Sequence, residues 1–348
     1  MPHILIDHAV EPSQLDTLQQ ATGLPVMFAE GELGKQRALP HSQLRDACAL
    51  LCTHLPSNHE AMQSLKLVQL CSAGFRQVEN LGLSRRDVQV CTASGVNDIP
   101  IAEWTVMMIL ALTRNLPEMI HHQMQGVWDR DARFQTEARG KTLGIWGYGG
   151  IGRETAQLAS AMGLSVHVLT RSGQIDDKPR FRVDQVSAHA ALAPDRVFAA
   201  SDAKRFCESV DFLMLAMPDT PENLGLIDHA IFEALPQHAY LLNPARGKLV
   251  NEDALLDALR SGRIAGAALD THFAYPLPAS HPLWQMRNVI ITPHIAGSSQ
   301  SSHYSRRLWQ LLVRNLKQWQ AGAELFGTLT PQQLDPNDGP TVPDPGTT

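Results

Sequence analysis

Short apolar runs recur through the first hundred residues, at 4–6, 26–29, 49–52, 67–71 and 88–91. Each reads as a strand. Helix-compatible stretches, such as 14–21 and 59–64, lie between most of them. Strands alternating with helices imply a parallel sheet with helices on its faces. A second series follows at 143–146, 166–170, 212–216, 240–243, 265–269 and 289–292, enough for a second complete sheet. The longest apolar run, 104–112, is too short to span a bilayer and predicts a buried helix. A long helical pattern, Tyr304 to Gln320, returns to the first domain. The segment 171–211 exceeds what one helix–loop connection needs and contains Pro179 and Pro194, so it reads as a surface excursion. From Thr328 the chain is rich in Pro, Asp, Gly and Thr, which predicts a tail without fixed structure over 328–348.

A length of 348 residues suits two domains, and 44% hydrophobic with 18% charged residues is a soluble, globular balance. The net charge of −6, without basic runs, speaks against a nucleic-acid partner. Cys48, Cys52, Cys71, Cys91 and Cys207 show no metal-ligand spacing and read as reduced thiols of a cytoplasmic protein. The first residues lack the basic and apolar regions of a signal peptide, and no membrane partner is expected.

Residues 142–152 read Thr-Leu-Gly-Ile-Trp-Gly-Tyr-Gly-Gly-Ile-Gly. A strand runs into Gly147-x-Gly149-x-x-Gly152, and a helical stretch, 153–162, follows. Gly147 suits a sharp turn out of the strand. Gly149 lets backbone amides approach a pyrophosphate, and Gly152 lets the helix pack on the sheet. The helix N-terminus, with Gly150 and Ile151, supplies free N–H groups to the phosphates. Gly140-Lys141-Thr142 hints at a P-loop, but position 135 is Gln, so that motif is absent.

Three further elements each follow an apolar strand: Asn243-Pro244-Ala245-Arg246-Gly247, then Asp270-Thr271-His272-Phe273-Ala274-Tyr275-Pro276, then Thr292-Pro293-His294-Ile295-Ala296-Gly297. Ligands of open α/β sheets bind outside the carboxyl ends of the strands, so an Arg, an Asp and a His converge near a cofactor. In this order, the motifs resemble those of NAD(P)-dependent D-isomer-specific 2-hydroxyacid dehydrogenases over roughly residues 45–325.

The resemblance implies an α/β protein of two doubly wound parallel-sheet domains. A flavodoxin-like substrate domain would comprise 1–100 and 294–327, and a Rossmann cofactor domain 101–293, with the active site in the cleft between them. It also implies a homodimer built through the cofactor domain. Arg246 looks like the arginine that grips the carboxylate and 2-oxo group of a small 2-oxo or 2-hydroxy acid, a task its planar guanidinium suits. His294 looks like the catalytic acid/base, whose pKa lies near the working pH. Asp270 resembles the residue that bonds the nicotinamide carboxamide; a strand-end turn Asp is the alternative. Ser72-Ala73-Gly74-Phe75 matches a substrate loop in which the amides of Ala73 and Gly74 meet the carboxylate, although the motif alone also describes a plain turn.

Two departures matter. Most relatives place a Glu before the proline that is Pro276 here, where it pairs with the catalytic His; this chain has Tyr275, which offers an imidazole a hydrogen bond but no negative charge when neutral. His272 stands where relatives have an aromatic or apolar residue, either as a second polar group in the cleft or as a surface histidine. The end of the second strand of the cofactor domain is Thr170-Arg171-Ser172. An acidic residue there marks NAD by bonding the ribose 2′-hydroxyl, whereas Arg pairs with a 2′-phosphate. NADP(H) is therefore expected, with NAD(H) possible if Arg171 merely stacks on adenine. The expected function is reduction of a glyoxylate- or hydroxypyruvate-type acid. Its rivals are dehydrogenation of another small anion, as by formate or phosphite dehydrogenases, and non-catalytic cofactor sensing, as by C-terminal-binding-protein corepressors.

Overall fold

The computed structural model describes residues 1–29, 31–131, 133, 135–182 and 193–336. The chain forms two compact units: 1–96 with 179–182 and 300–336, and 97–178 with 193–299, among the described residues.

In the first unit, β1 (His3–Asp7), β2 (Val26–Phe28), β3 (Ala47–Cys52), β4 (Leu67–Leu70) and β5 (Gln89–Cys91) pair in parallel in the order β2-β1-β3-β4-β5. This is the flavodoxin-like order. Side chains alternate between two cores, as the pleat requires. Ile4, Ile6 and Leu51 pack with Leu308, Leu311, Leu312 and Leu316 of the helix Ser302–Gln320. Leu5, Leu50 and Val68 face Leu44, Leu55 and Met62 on the other side. The helix begins where the Ser301 side chain accepts from the Tyr304 amide. Its one buried amide side chain, Asn315, bonds Gln69 Oε1 of β4 at 2.8 Å and both backbone groups of Phe326.

The second unit holds β6 (Thr142–Trp146), β7 (Ser165–Thr170), β8 (Arg196–Ala199), β9 (Phe212–Leu215), β10 (Tyr240–Asn243), β11 (Gly266–Leu269) and β12 (Val289–Ile291). All seven are parallel, in the order β12-β11-β10-β9-β6-β7-β8. Sequence order reverses at β6, so the carboxyl ends of β6 and β9 flank the topological switch point. The helix Asp98–Thr113 covers one face with Ile101, Trp104, Met108, Ile109 and Leu112. Among the described residues, no helix is long and apolar enough to cross a membrane.

Four expectations need correction. The excursion 171–211 contains an edge strand, β8, and the helix Ala203–Cys207. Being short and only partly buried, β8 leaves little apolar pattern, yet Phe198 packs edge-on against Phe206 with centroids 5.6 Å apart. Within the same excursion, Phe181 is buried in the first unit, with the Arg314 guanidinium 5.8 Å from its ring; residues 183–192 lie outside the described residues. The stretch 328–336 is ordered. Thr328 bridges Cys91, and Thr330 caps the short helix Pro331–Leu334, in which Pro331 sits at a helix start that needs no N–H from it. Leu329 and Leu334 are buried, while 337–348 fall outside the described residues. The expected helix at 59–64 is a single 3-10 turn, His59–Ala61.

Candidate active site

The glycine loop leaves β6 at the switch point. Gly147 has φ +100°, and a Cβ there would lie 2.7 Å from the Ala216 carbonyl carbon and oxygen. Both the left-handed backbone and the close approach demand glycine. A Cβ on Gly152 would meet the Gly147 oxygen at 2.6 Å, so the helix Gly150–Ala161 starts tight against the turn. Nothing lies within 4 Å of a Cβ built on Gly149. That open space fronts the first-turn amides, which have no intrahelical acceptor. A pyrophosphate fits such a cradle, because amides and helix dipole both favour an anion. Asp98 stands beside it: its Oδ2 would be 1.9 Å from a Cβ on Gly150. Nothing in the sequence spacing signals that proximity.

At the end of β7, Thr170 Oγ1 donates to the Gln174 carbonyl at 3.0 Å, and Ser172 forms a bridge with Ala199. The turn leaves Arg171 and Ser172 exposed. Arg153 packs over the Tyr148 ring and donates to the Asp176 carbonyl, which folds the loop back toward the helix Gly150–Ala161.

Strands β10, β11 and β12 are neighbours, so the loops bearing Arg246, Asp270 and His294 emerge side by side. Asn243 shapes the first loop: its side chain accepts from Ala245 N at 3.1 Å and donates to the Arg246 carbonyl at 2.9 Å. Arg246 is half-buried, with Nη1 on the Ala245 carbonyl at 2.7 Å. Gly247 lies so close to the next loop that a Cβ would be 2.3 Å from the His272 carbonyl oxygen.

Asp270 is buried and braces the third loop. Its Oδ1 accepts from Thr292 Oγ1 at 2.6 Å and from Ile295 N at 2.8 Å, and its Oδ2 accepts from Ala296 N at 3.0 Å. Thr292 Oγ1 in turn accepts from Trp104 Nε1 at 3.1 Å. The sequence marked Asp270 for a cofactor contact; these bonds add a structural duty and leave Oδ2 able to accept once more. Trp104 and Thr292 enter the site unannounced by any motif of their own.

His294 sits between these anchors with φ +58°, a left-handed conformation uncommon outside glycine. Its N–H reaches back to the Thr292 carbonyl at 3.0 Å across Pro293. The residue is exposed by area, yet its ring packs 5.5 Å from that of Tyr275. Burial on that side lowers its pKa, the Arg246 cation lowers it further, and Asp270 opposes both. Tyr275 thus meets His294 with its ring. Its hydroxyl accepts from the His272 N–H at 3.3 Å instead of bonding the imidazole, because the loop turns it toward its own backbone. Burial raises the Tyr275 pKa, which keeps the hydroxyl neutral. His272 is buried, which excludes the surface alternative, and its Nε2 lies 2.8 Å from the Thr292 carbonyl oxygen.

In the first unit, the loop after β4 is held by Ser72, whose hydroxyl donates to the Gly74 carbonyl at 2.7 Å, and by Gln77, which donates to Ser72 Oγ at 2.9 Å. Among the described residues the Ala73 and Gly74 amides carry no hydrogen bond.

Comparison with known proteins bears on these loops. A family model described as the NAD-binding domain of D-isomer-specific 2-hydroxyacid dehydrogenases matches residues 106–296. A glyoxylate reductase from Thermofilum pendens is 34% identical over 281 residues, covering 78% of each chain. A D-3-phosphoglycerate dehydrogenase from Archaeoglobus fulgidus is 27% identical over 80% of this chain, which spans 50% of that longer relative. Among solved structures, an NADPH-dependent glyoxylate/hydroxypyruvate reductase from Sinorhizobium meliloti, in complex with citrate, aligns with a TM-score of 0.72 at 26% identity. That alignment covers 95% of this chain and 98% of the other.

Proposed function

The chain belongs to the D-isomer-specific 2-hydroxyacid dehydrogenase family, and on that premise we propose that it is an NADP(H)-preferring reductase of small 2-oxo acids of the glyoxylate or hydroxypyruvate type. The observation that carries the reading is the emergence of Arg246 and His294 from the carboxyl ends of β10 and β12, the two parallel strands that flank β11, close enough for the guanidinium to depress the imidazole pKa. A cation to hold a carboxylate and a titrating group to move a proton are what ketone reduction beside a carboxylate requires.

A bound reduced nicotinamide supplies the two electrons and the hydrogen that the 2-carbon takes up. Arg246 retains donors beyond the Nη1 bonded to Ala245, and these grip the carboxylate and polarise the 2-oxo group. Protonated His294 gives its proton to the carbonyl oxygen and recovers it in the reverse direction. In the first unit, the Ala73 and Gly74 amides carry no hydrogen bond among the described residues and are free to donate to an anion. Tyr275, packed on the imidazole, restricts where that ring swings. The amides of Gly149, Gly150, Ile151 and Gly152 receive the pyrophosphate, and Gly147 makes the turn that presents them. Thr170, Arg171 and Ser172 read the ribose end, where exposed Arg171 favours a 2′-phosphate. Asp270 Oδ2 is left to meet the carboxamide. The solved relative from Sinorhizobium meliloti, described as NADPH-dependent, supports the same cofactor choice.

An exposed apolar surface on the second unit supports the reading of a homodimer. Met107, Leu110, Leu116, Ile120, Met124 and Trp128 are exposed on the helices Asp98–Thr113 and Leu116–Gln125 and just beyond, with Met124 79% and Trp128 88% exposed. Apolar exposure on this scale marks an association surface. The five cysteines are free and buried, which fits the cytoplasmic location expected from the sequence.

The test is a nicotinamide absorbance assay with NADPH and NADH against a panel of 2-oxo acids, formate and phosphite. Turnover of glyoxylate or hydroxypyruvate is expected, with higher kcat/KM for NADPH. Arg171→Ala should cost NADPH about 1–3 kcal/mol more than NADH, the loss of a charged hydrogen bond. Equal losses would remove the cofactor assignment. His294→Ala should lower kcat by about 10²–10⁴. Dinucleotide binding without turnover of any acid would favour the sensing alternative.

A further inference from the structure

His272 has a hydrogen-bonding pattern that space-filling does not explain. It is 5% exposed, and only one of its ring nitrogens is partnered: Nε2 lies 2.8 Å from the Thr292 carbonyl oxygen, while Nδ1 is buried with no partner among the described residues. A carbonyl only accepts, so Nε2 carries the proton and Nδ1 a stranded lone pair. An apolar side chain would fill the position without that unmet acceptor. What the imidazole adds is the Nε2–H bond, and its acceptor is the pivot of the His294 turn. The Thr292 carbonyl also accepts the His294 N–H at 3.0 Å, and His294 is held in the left-handed region at φ +58°. Both lone pairs of that oxygen are therefore engaged, one by the turn itself and one by His272.

The backbone of His272 is equally placed. Its N–H donates to the Tyr275 hydroxyl at 3.3 Å, and Tyr275 is the ring that packs on His294. Its carbonyl lies against Gly247, directly after Arg246. His272 thus touches the residues that set the Arg246 loop, the ring beside the imidazole and the turn that aims it. Asp270 holds the far side of that turn through the Ile295 and Ala296 amides; it does not touch the Thr292 carbonyl.

We propose that His272 is a positioning residue for the reduction, fixing His294 in its left-handed conformation through the Thr292 carbonyl. The proposal rests on His294 being the proton donor, as read above. Loss of the Nε2–H bond should widen the distribution of imidazole orientations. That slows proton delivery without changing how the dinucleotide or the acid is held.

The experiment compares wild type, His272→Phe, His272→Gln and His294→Ala in steady-state glyoxylate reduction, with NADPH binding followed by fluorescence. His272→Phe keeps the aromatic bulk and loses the donor. It should lower kcat about tenfold, while KM for glyoxylate and Kd for NADPH stay within about twofold of wild type. Gln carries an amide N–H at a reach similar to Nε2 and should restore most of kcat. Wild-type kcat in His272→Phe, or no recovery in His272→Gln, overturns the proposal. If His272→Phe does not fold, 15N NMR of the wild-type ring decides: the Nε2–H tautomer supports the inference and the Nδ1–H tautomer refutes it. His294→Ala separates the two levels. An inactive His294→Ala beside a fully active His272→Phe removes the positioning role alone, whereas an active His294→Ala removes the underlying function as well.

Discussion

Asp270→Asn removes one negative charge while keeping shape, and the structure predicts two separate consequences. The carboxylate now accepts three hydrogen bonds, from Thr292 Oγ1, Ile295 N and Ala296 N. An amide has one oxygen. With that oxygen toward Thr292 and Ile295, its NH2 faces the Ala296 N–H, donor against donor, in a buried position. One charge-assisted bond is lost, at about 1.5–3 kcal/mol, and a buried donor is left unmet. The total is about 2–4 kcal/mol, or roughly 4–15 °C in Tm for a unit of this size. The second consequence is electrostatic. Asp270 raises the His294 pKa against burial and the Arg246 cation, which together hold it below the ordinary value of 6.5. Removing that support lowers the pKa further. Reduction uses protonated His294, so its kcat/KM falls as pH rises through that pKa, and the limb should move to lower pH in the variant. Oxidation uses the neutral ring, so its rising limb should move the same way. The assay is the pH dependence of kcat/KM in both directions, alongside thermal unfolding. An unmoved limb or one displaced to higher pH would refute the electrostatic argument, and an unchanged Tm would refute the brace.

Gly247→Ala places a methyl 2.3 Å from the His272 carbonyl oxygen and 2.4 Å from its carbon, both backbone atoms that no rotamer relieves. We expect a loss of about 1–3 kcal/mol in stability together with a raised KM for the acid, and wild-type values of both would show that the loops part freely. Met107→Glu with Met124→Glu should convert a dimer into a monomer in analytical ultracentrifugation, since both side chains lie in the exposed apolar patch; a monomeric wild type would refute the assignment of that patch.

The sequence was most legible where one residue type had to serve one geometry. Gly147 is readable because a left-handed turn out of a strand requires it, and the Arg246 and His294 loops because each follows a strongly apolar strand. Strand β8 was not legible, since an exposed edge of four residues has no continuous apolar face to display. Over 328–336 a composition rich in Pro, Asp, Gly and Thr predicts a loose tail, but composition does not register position, and Pro331 at a helix start costs nothing. Contacts made across the site were hidden for a different reason. Asp98 beside Gly150, Trp104 on Thr292 and His272 on the Thr292 carbonyl each join residues distant in the chain or pointing in directions that spacing does not fix.

The first unit is assembled from both ends of the chain, and this orders its birth on the ribosome. Gln69 of β4 is fully buried with its amide oxygen on Asn315, the Cys71 carbonyl accepts the Tyr304 hydroxyl, and Cys91 bridges Thr328. When residues 1–96 emerge, none of those partners has been synthesised. The apolar face of Ile4, Ile6 and Leu51 then lacks the helix that covers it. The second unit, although interrupted by the segment that carries Phe181, meets no such delay, because its seven strands are made before residue 300. The nascent chain therefore carries an open sheet for the time taken to translate some two hundred further residues, about 10–40 s at ordinary elongation rates. Holdase chaperones would find their target there, and truncations before Ser302 should be captured or degraded while the nucleotide-binding half folds.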